Sequence, residues 1–150
     1  MTGRTDASVR TTLAMNLEFT RGRHGAAARL ELFDGPDART AVFALRGWID
    51  AAAARRVEQT IDDLLGRDVR RLIVDGSRLQ HVDYRQVPRI GAAFARFEAR
   101  AGAVTFCGLS RYLLDLFRLS GCDGPLRDAG AGPRAWEVAV GAAPAGERAS

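Results

Sequence analysis

The sequence predicts one α/β domain: a mostly parallel central sheet with an N-terminal antiparallel hairpin and three main helices. Three observations carry this. Strand-like and helix-like segments alternate three times between Thr40 and Ser120, a succession that builds parallel sheets through right-handed crossovers. Two apolar runs flank the turn-rich Asp34-Gly35-Pro36-Asp37, which marks a hairpin. The chain has 150 residues, 47% of them hydrophobic, enough for one substantial core.

Each element has its own signal. Leu13 to Thr20 and Ala28 to Phe33 have the make-up of strands, and Thr40 to Leu45 is a near-continuous apolar run suited to a buried strand. Asp50 is a good N-cap for a helix over Ala51 to Leu65, where Val57, Ile61, Leu64 and Leu65 recur at helical spacing and Gly66 stands just past the end. Leu72-Ile73-Val74 reads as a short strand, with Asp75-Gly76-Ser77 as its breaker. Val87, Ile90, Phe94, Phe97 and Ala101 step by three and four along a second helix that ends before Gly102. Ala103 to Cys107 forms the next strand. Ser110 then caps a third helix, with Leu113, Leu116, Phe117 and Ser120 on one face and Gly121 as its stop.

Residues 1–12 are polar and aperiodic and residues 141–150 are small and turn-prone, so both read as mobile tails around a domain over 13–140. No apolar run is long enough to span a bilayer and the N-terminus has no apolar signal core, so a cytoplasmic protein without membrane insertion is expected. Cys107 and Cys122 are too few for a disulfide framework and fit a reducing compartment as inert thiols.

Charge narrows the function. All 22 basic residues are arginine, which excludes Schiff-base lysine chemistry and the lysine of a phosphate-cradling loop. The net charge of +4 raises the question of nucleic acid, but the arginines alternate with carboxylates, as at Arg55, Arg56, Glu58, Asp62 and Asp63, and no basic stripe interleaved with aromatics occurs. Nucleic acid is therefore not expected as a partner.

Ligands of such sheets gather at the carboxyl ends of the strands, here Gly47 to Asp50, Asp75 to Arg89 and Gly108 to Arg111. Asp50, Asp75 and Asp83 are carboxylates of the kind that hold Mg²⁺ or serve as acid and base, yet capping by Asp50 and Asp83 and a turn at Asp75 account for them more simply. His81, Asp83 and Cys107 lack metal-site spacing, and no nucleophile stands beside a base, so neither an enzyme nor a metal or other cofactor is expected.

The informative segment is His81 to Ile90. Asp83 and Gln86 have capping-box spacing, which would start the helix at Tyr84 and make Pro88 its fifth residue, where the missing N–H breaks a helical bond. The spacing therefore predicts a regular helix capped near Arg85 to Val87, with Asp83 to Arg85 in an exposed loop. Arg85 and Arg89 oppose the helix dipole there unless a carboxylate inside the chain or an acidic partner compensates.

Over Leu30 to Leu126 the chain resembles the STAS family, the domain shared by bacterial anti-sigma factor antagonists and the cytoplasmic parts of sulfate transporters. Gly47-Trp48-Ile49-Asp50 is similar to the family's Gly-x-Leu-Asp; Arg71 to Asp75 with Leu79 to Asp83, and Leu116 to Asp123, carry the rest. In phosphorylatable members the aspartate matching Asp83 is followed by Ser, Ser or Thr, and Gly, and a kinase phosphorylates the second hydroxyl residue. Tyr84, Arg85 and Gln86 stand in those places here. The resemblance implies a non-enzymatic bacterial regulatory module that binds a protein such as a kinase-like anti-sigma factor, through Asp50, Asp83, Tyr84, Arg85, Gln86 and Arg89, without the usual phosphorylation switch. A transport-complex accessory subunit, docked on an ATPase or permease, is the neighbouring reading. A different class is a nucleotide- or anion-binding domain using Arg85, Arg89, Ser110 and Arg111. The sequence leaves the oligomeric state open, a homodimer included.

Overall fold

In the computed structural model, residues 10–119 are described. Residues 1–9 of the expected N-terminal tail, the expected tail at 141–150, the stop of the third helix at Ser120 and Gly121, and Cys122 lie outside them.

A five-stranded mixed sheet runs in the order β1-β2-β3-β4-β5, with β1 at Arg10–Glu18, β2 at Ala27–Asp34, β3 at Arg39–Ile49, β4 at Val69–Val82 and β5 at Ala103–Cys107. The β1–β2 and β2–β3 pairings are antiparallel, whereas β3–β4 and β4–β5 are parallel. Each parallel step is spanned by a helix, α1 at Ala51–Leu65 and α2 at Val87–Arg100, and α3 at Arg111–Leu119 follows β5. This matches the predicted hairpin, parallel half and three helices.

All three helices share one apolar core with the strands. Ala53, Ala54, Val57, Ile61 and Leu64 of α1 and Val87, Ile90, Ala93, Phe94 and Phe97 of α2 are buried, the one-sided stripes that the three-and-four spacing demands. Alternate strand residues meet them: Leu30 and Leu32 of β2, Ala41 and Phe43 of β3, Leu72 and Val74 of β4, Val104 and Phe106 of β5. Phe106 ties sheet to helices through edge-on contacts with Phe94, 4.9 Å between ring centroids, and Phe117, 5.2 Å. By the same alternation Phe33, Val42, Ile73 and Cys107 form a smaller buried cluster on the opposite sheet face.

Several boundaries differ from the sequence reading: β3 runs on past the expected Leu45 to Ile49, and β4 starts at Val69 rather than at Leu72. β1 begins at Arg10, within the expected tail, because Arg10 to Thr12 continue the ladder against β2 through an irregularity between Thr11 and Leu13. β4 does not stop at Asp75 but runs on to Val82. The expected breaker is absorbed as a bulge: Ala44 pairs with Asp75 and Arg46 with Arg78, so β4 spends one more residue than β3. The Asp75 carboxylate takes the Ser77 N–H at 3.0 Å, replacing a ladder bond. The Leu109 side chain packs directly over Gly76, where a Cβ would lie 2.5 Å from Leu109 Cδ2 and push that side chain aside. Asp75 thus sits inside the strand, away from the carboxyl edge where the sequence reading put it.

Candidate functional site

The carboxyl edge of the sheet is built by the ends of β3 and β4. Ile49 O accepts the Asp83 N–H at 2.9 Å, holding the two exits side by side. Asp50 then turns the chain into α1, its carboxylate accepting the Ala53 N–H at 2.9 Å. Asp83 instead starts a single 3₁₀ turn, Tyr84–Gln86, before α2 begins at Val87. Pro88 is thereby the second residue of α2, where its missing N–H would have had no helical partner anyway. The delayed helix start follows the prediction from Pro88; the exposed segment is a 3₁₀ turn.

The turn is clamped by its own charges. Arg85 lays its guanidinium across the Asp83 carboxylate, Nε to Oδ1 and Nη2 to Oδ2 both at 3.1 Å, and the Arg85 backbone N–H donates to the same Oδ1 at 3.1 Å. These bonds hold the Asp83 carboxyl below the usual carboxylate range, the side-chain bond from Arg85 being the main cause. The intramolecular pairing weighed for Arg85 is therefore present. Arg89, in the first turn of α2, faces Glu58 of α1 at 3.7 Å, which compensates its position against the helix dipole. Arg111 faces Asp115 at 4.0 Å, and Ser110 Oγ accepts the Leu113 N–H at 3.2 Å as the expected cap of α3. The arginines proposed from sequence to hold an anion, Arg85, Arg89 and Arg111, each already face a carboxylate.

Beside this turn runs a row of rings that the sequence reading did not single out. His24 stacks on Trp48 with centroids 4.2 Å apart, Trp48 meets His81 at 5.1 Å, and His81 stacks on Tyr112 at 5.8 Å. Trp48 and His81 are direct neighbours across the β3–β4 ladder, which brings them together. Polar tips lock the row: Trp48 Nε1 donates to Gln80 Oε1 at 3.1 Å, and the Tyr112 hydroxyl bonds His81 Nδ1 at 2.9 Å. Yet Trp48 is 42% exposed, Tyr112 51% and Tyr84 69%. The signal available in the sequence was period two: Trp48 lies on the face opposite buried Ile49, so it points out of the core.

The loop carrying His24 is held against β3 by close backbone packing. The Trp48 N–H donates to His24 O at 3.2 Å, and Gly47, at φ +85°, has no Cβ to strike the Gly25 carbonyl beneath it. Among the described residues no cluster of three or more His, Cys, Asp or Glu side chains could hold a metal.

The family described as "Mlab, STAS domain" matches residues 34–128. The chain belongs to the STAS family. Its fold is similar to three solved structures. The anti-sigma factor antagonist SpoIIAA in its unphosphorylated form aligns with a TM-score of 0.58 and 22% identity, covering 77% of this chain and 99% of that one. The Bacillus cell fate determinant SpoIIAA in its phosphorylated form gives 0.51 and 24% identity, covering 67% and 91%. An anti-sigma factor antagonist from Mycobacterium paratuberculosis gives 0.55 and 18% identity, covering 79% and 97%. No curated protein matches the chain. The STAS core in this chain thus includes both the clamped turn and most of the ring row, whereas His24 lies before the matched residues.

Proposed function

We propose that this STAS domain is a non-enzymatic, cytoplasmic protein-interaction module of bacterial regulation, acting in the manner of an anti-sigma factor antagonist. Its docking edge comprises Asp50, Asp83, Tyr84, Arg85, Gln86 and Arg89, extended by Trp48, His81 and Tyr112. The observation that carries the reading is the coincidence, at one sheet edge, of a charge-clamped turn with exposed, geometrically fixed Trp and Tyr side chains. Such aromatics together with arginine are the residues that dominate binding energy at protein interfaces, and fixing them beforehand lowers the ordering cost of association.

The mechanism follows from Arg85. In phosphorylatable relatives the matching position carries the hydroxyl that gains a phosphate; a guanidinium cannot accept that group, and its charge has the opposite sign. Here the arginine is anchored to Asp83, so the turn is presented in one charge state and one geometry. Binding is constitutive, or governed by a change elsewhere than at this position.

The test is affinity capture of the tagged full chain from cells of its source, comparing wild type, Arg85→Glu and Tyr84→Ala by quantitative mass spectrometry. The expected result is a protein partner retained by wild type and depleted about thirtyfold or more by Arg85→Glu, a hot-spot-sized loss. A kinase-like anti-sigma factor as that partner supports the regulatory reading. A transport ATPase or permease replaces it with the accessory-subunit reading, and equal capture by all three proteins removes the turn from the interface.

A further inference from the structure

The two edges of the sheet are finished differently. β5 has five residues, a length that leaves little edge to extend. β1 has nine, and among the described residues it pairs only with β2. Natural edge strands are guarded by charged side chains or proline, yet Thr11 to Leu17 contain neither. The irregularity between Thr11 and Leu13 closes one end, which leaves a regular ladder over Leu13 to Glu18.

The direction of the main-chain groups on this edge follows from one bond. The Phe19 N–H donates to Ala26 O at 2.9 Å, one step beyond the Glu18–Ala27 pair. In the alternation of an antiparallel ladder, Met15 and Leu17 therefore turn N–H and C=O towards β2, whereas Ala14, Asn16 and Glu18 turn theirs outward. All three of the latter are exposed. The side chains alternate as well. Leu13, Met15 and Leu17 stand opposite the core residues Leu32, Leu30 and Ala28, so they lie on the helix-bearing face. Leu13 and Leu17 are only half-buried and Met15 is 38% exposed, an apolar stripe that the helices do not fully cover.

We propose that the β1 edge is a self-association surface, on which a second copy of this chain adds its own β1 antiparallel. The stripe selects this occupant because it is self-complementary. About a two-fold axis at Met15, Leu13 of one copy faces Leu17 of the other and the two Met15 side chains meet, while Ala14 and Asn16 donate their outward N–H groups to each other's C=O across the axis. A slip by one residue would send the stripe to the opposite face, and a slip by two breaks the match among the three apolar residues. Charge permits this register. The two Glu18 residues fall about 20 Å apart along the strands, six residues at ~3.3 Å each, beyond the screening length of about 8 Å at physiological salt. Pairing side by side along β1 leaves the docking edge, at the ends of β3 and β4, open in each copy.

Sedimentation equilibrium of the full chain from about 1 µM to about 1 mM, with NMR amide exchange at both ends of that range, tests the proposal. Pairing through one short strand falls at the small end of specific interfaces, so a monomer–dimer equilibrium with a dissociation constant in the micromolar range is expected. The Ala14 and Asn16 amides should become protected at the high concentration, while Met15 and Leu17, already bonded to β2, should not change. Met15→Arg sets two cations against each other at the axis, and Ala14→Pro removes an outward N–H without touching the β1–β2 ladder; each should weaken association at least about tenfold. Met15→Arg should keep the wild-type melting temperature at the dilute end, because that side chain is already partly in water. The proposal is overturned if the chain stays monomeric throughout the range, if the protection gained on association lies away from β1, or if Met15→Arg associates as tightly as wild type.

Discussion

Gly47→Ala tests how the edge is held together. Gly47 has φ +85°, a conformation that costs an L-residue about 1–2 kcal/mol, and the added Cβ would collide with the Gly25 carbonyl. The collision involves backbone on both sides, so relief requires the Thr20–Gly25 loop to lift from β3. Lifting it gives up the Trp48 N–H to His24 O bond, worth about 1 kcal/mol net, and the His24–Trp48 stack, worth about 0.5–1.5 kcal/mol. Together these give an expected loss of about 2.5–4.5 kcal/mol by urea denaturation at neutral pH. Gly66→Ala is the matched control: φ is −74° and the Cβ would sit 3.4 Å from Asp63 O, so its stability should stay within about 0.5 kcal/mol of wild type or rise. In the NMR spectrum Gly47→Ala should also shift the His24 and Trp48 ring resonances while leaving Phe94 and Phe106 in place. Equal stability of the two variants, or unchanged ring shifts in Gly47→Ala, would refute the reasoning.

Two further perturbations address the local chemistry. Asp50→Ala removes the cap of α1 and should cost about 1 kcal/mol, read in the same denaturation assay, whereas Asp50→Asn should retain most of it. For Asp83, whose folded-state carboxyl is held below its ordinary range by Arg85, the clamp's contribution is present above the unfolded-state value and is lost as pH falls through the lower, folded-state value. An NMR titration of the Asp83 carboxyl should therefore show a midpoint below the ordinary range in wild type and a rise toward it in Arg85→Ala; identical midpoints would mean that the clamp is absent in solution.

Much of the architecture could be read locally. The bounds of α1 follow from Asp50 and Gly66, and the late start of α2 follows from the single missing N–H of Pro88. The breaker at Asp75-Gly76-Ser77 misled because its alternative, a bulge within a continuing strand, depends on what β3 offers across the ladder and on Leu109 arriving against Gly76. The same non-locality hid the ring row. Trp48 and His81 become neighbours only once the register across the α1 crossover is fixed, and no spacing within either segment encodes it. Asp83 and Arg85, two residues apart, were within reach of local reasoning, and their pairing was among the arrangements it considered.

The most direct measurement of the central claim is hydrogen–deuterium exchange of the full chain, alone and bound to the partner captured with it. The account predicts new protection at Gly47 to Asp50, Gln80 to Arg89 and Ser110 to Tyr112, with the outer face of α1 unaffected. Protection confined to α1 or to the β1–β2 side of the sheet, with the Asp83–Gln86 turn exchanging as in the free protein, would contradict it.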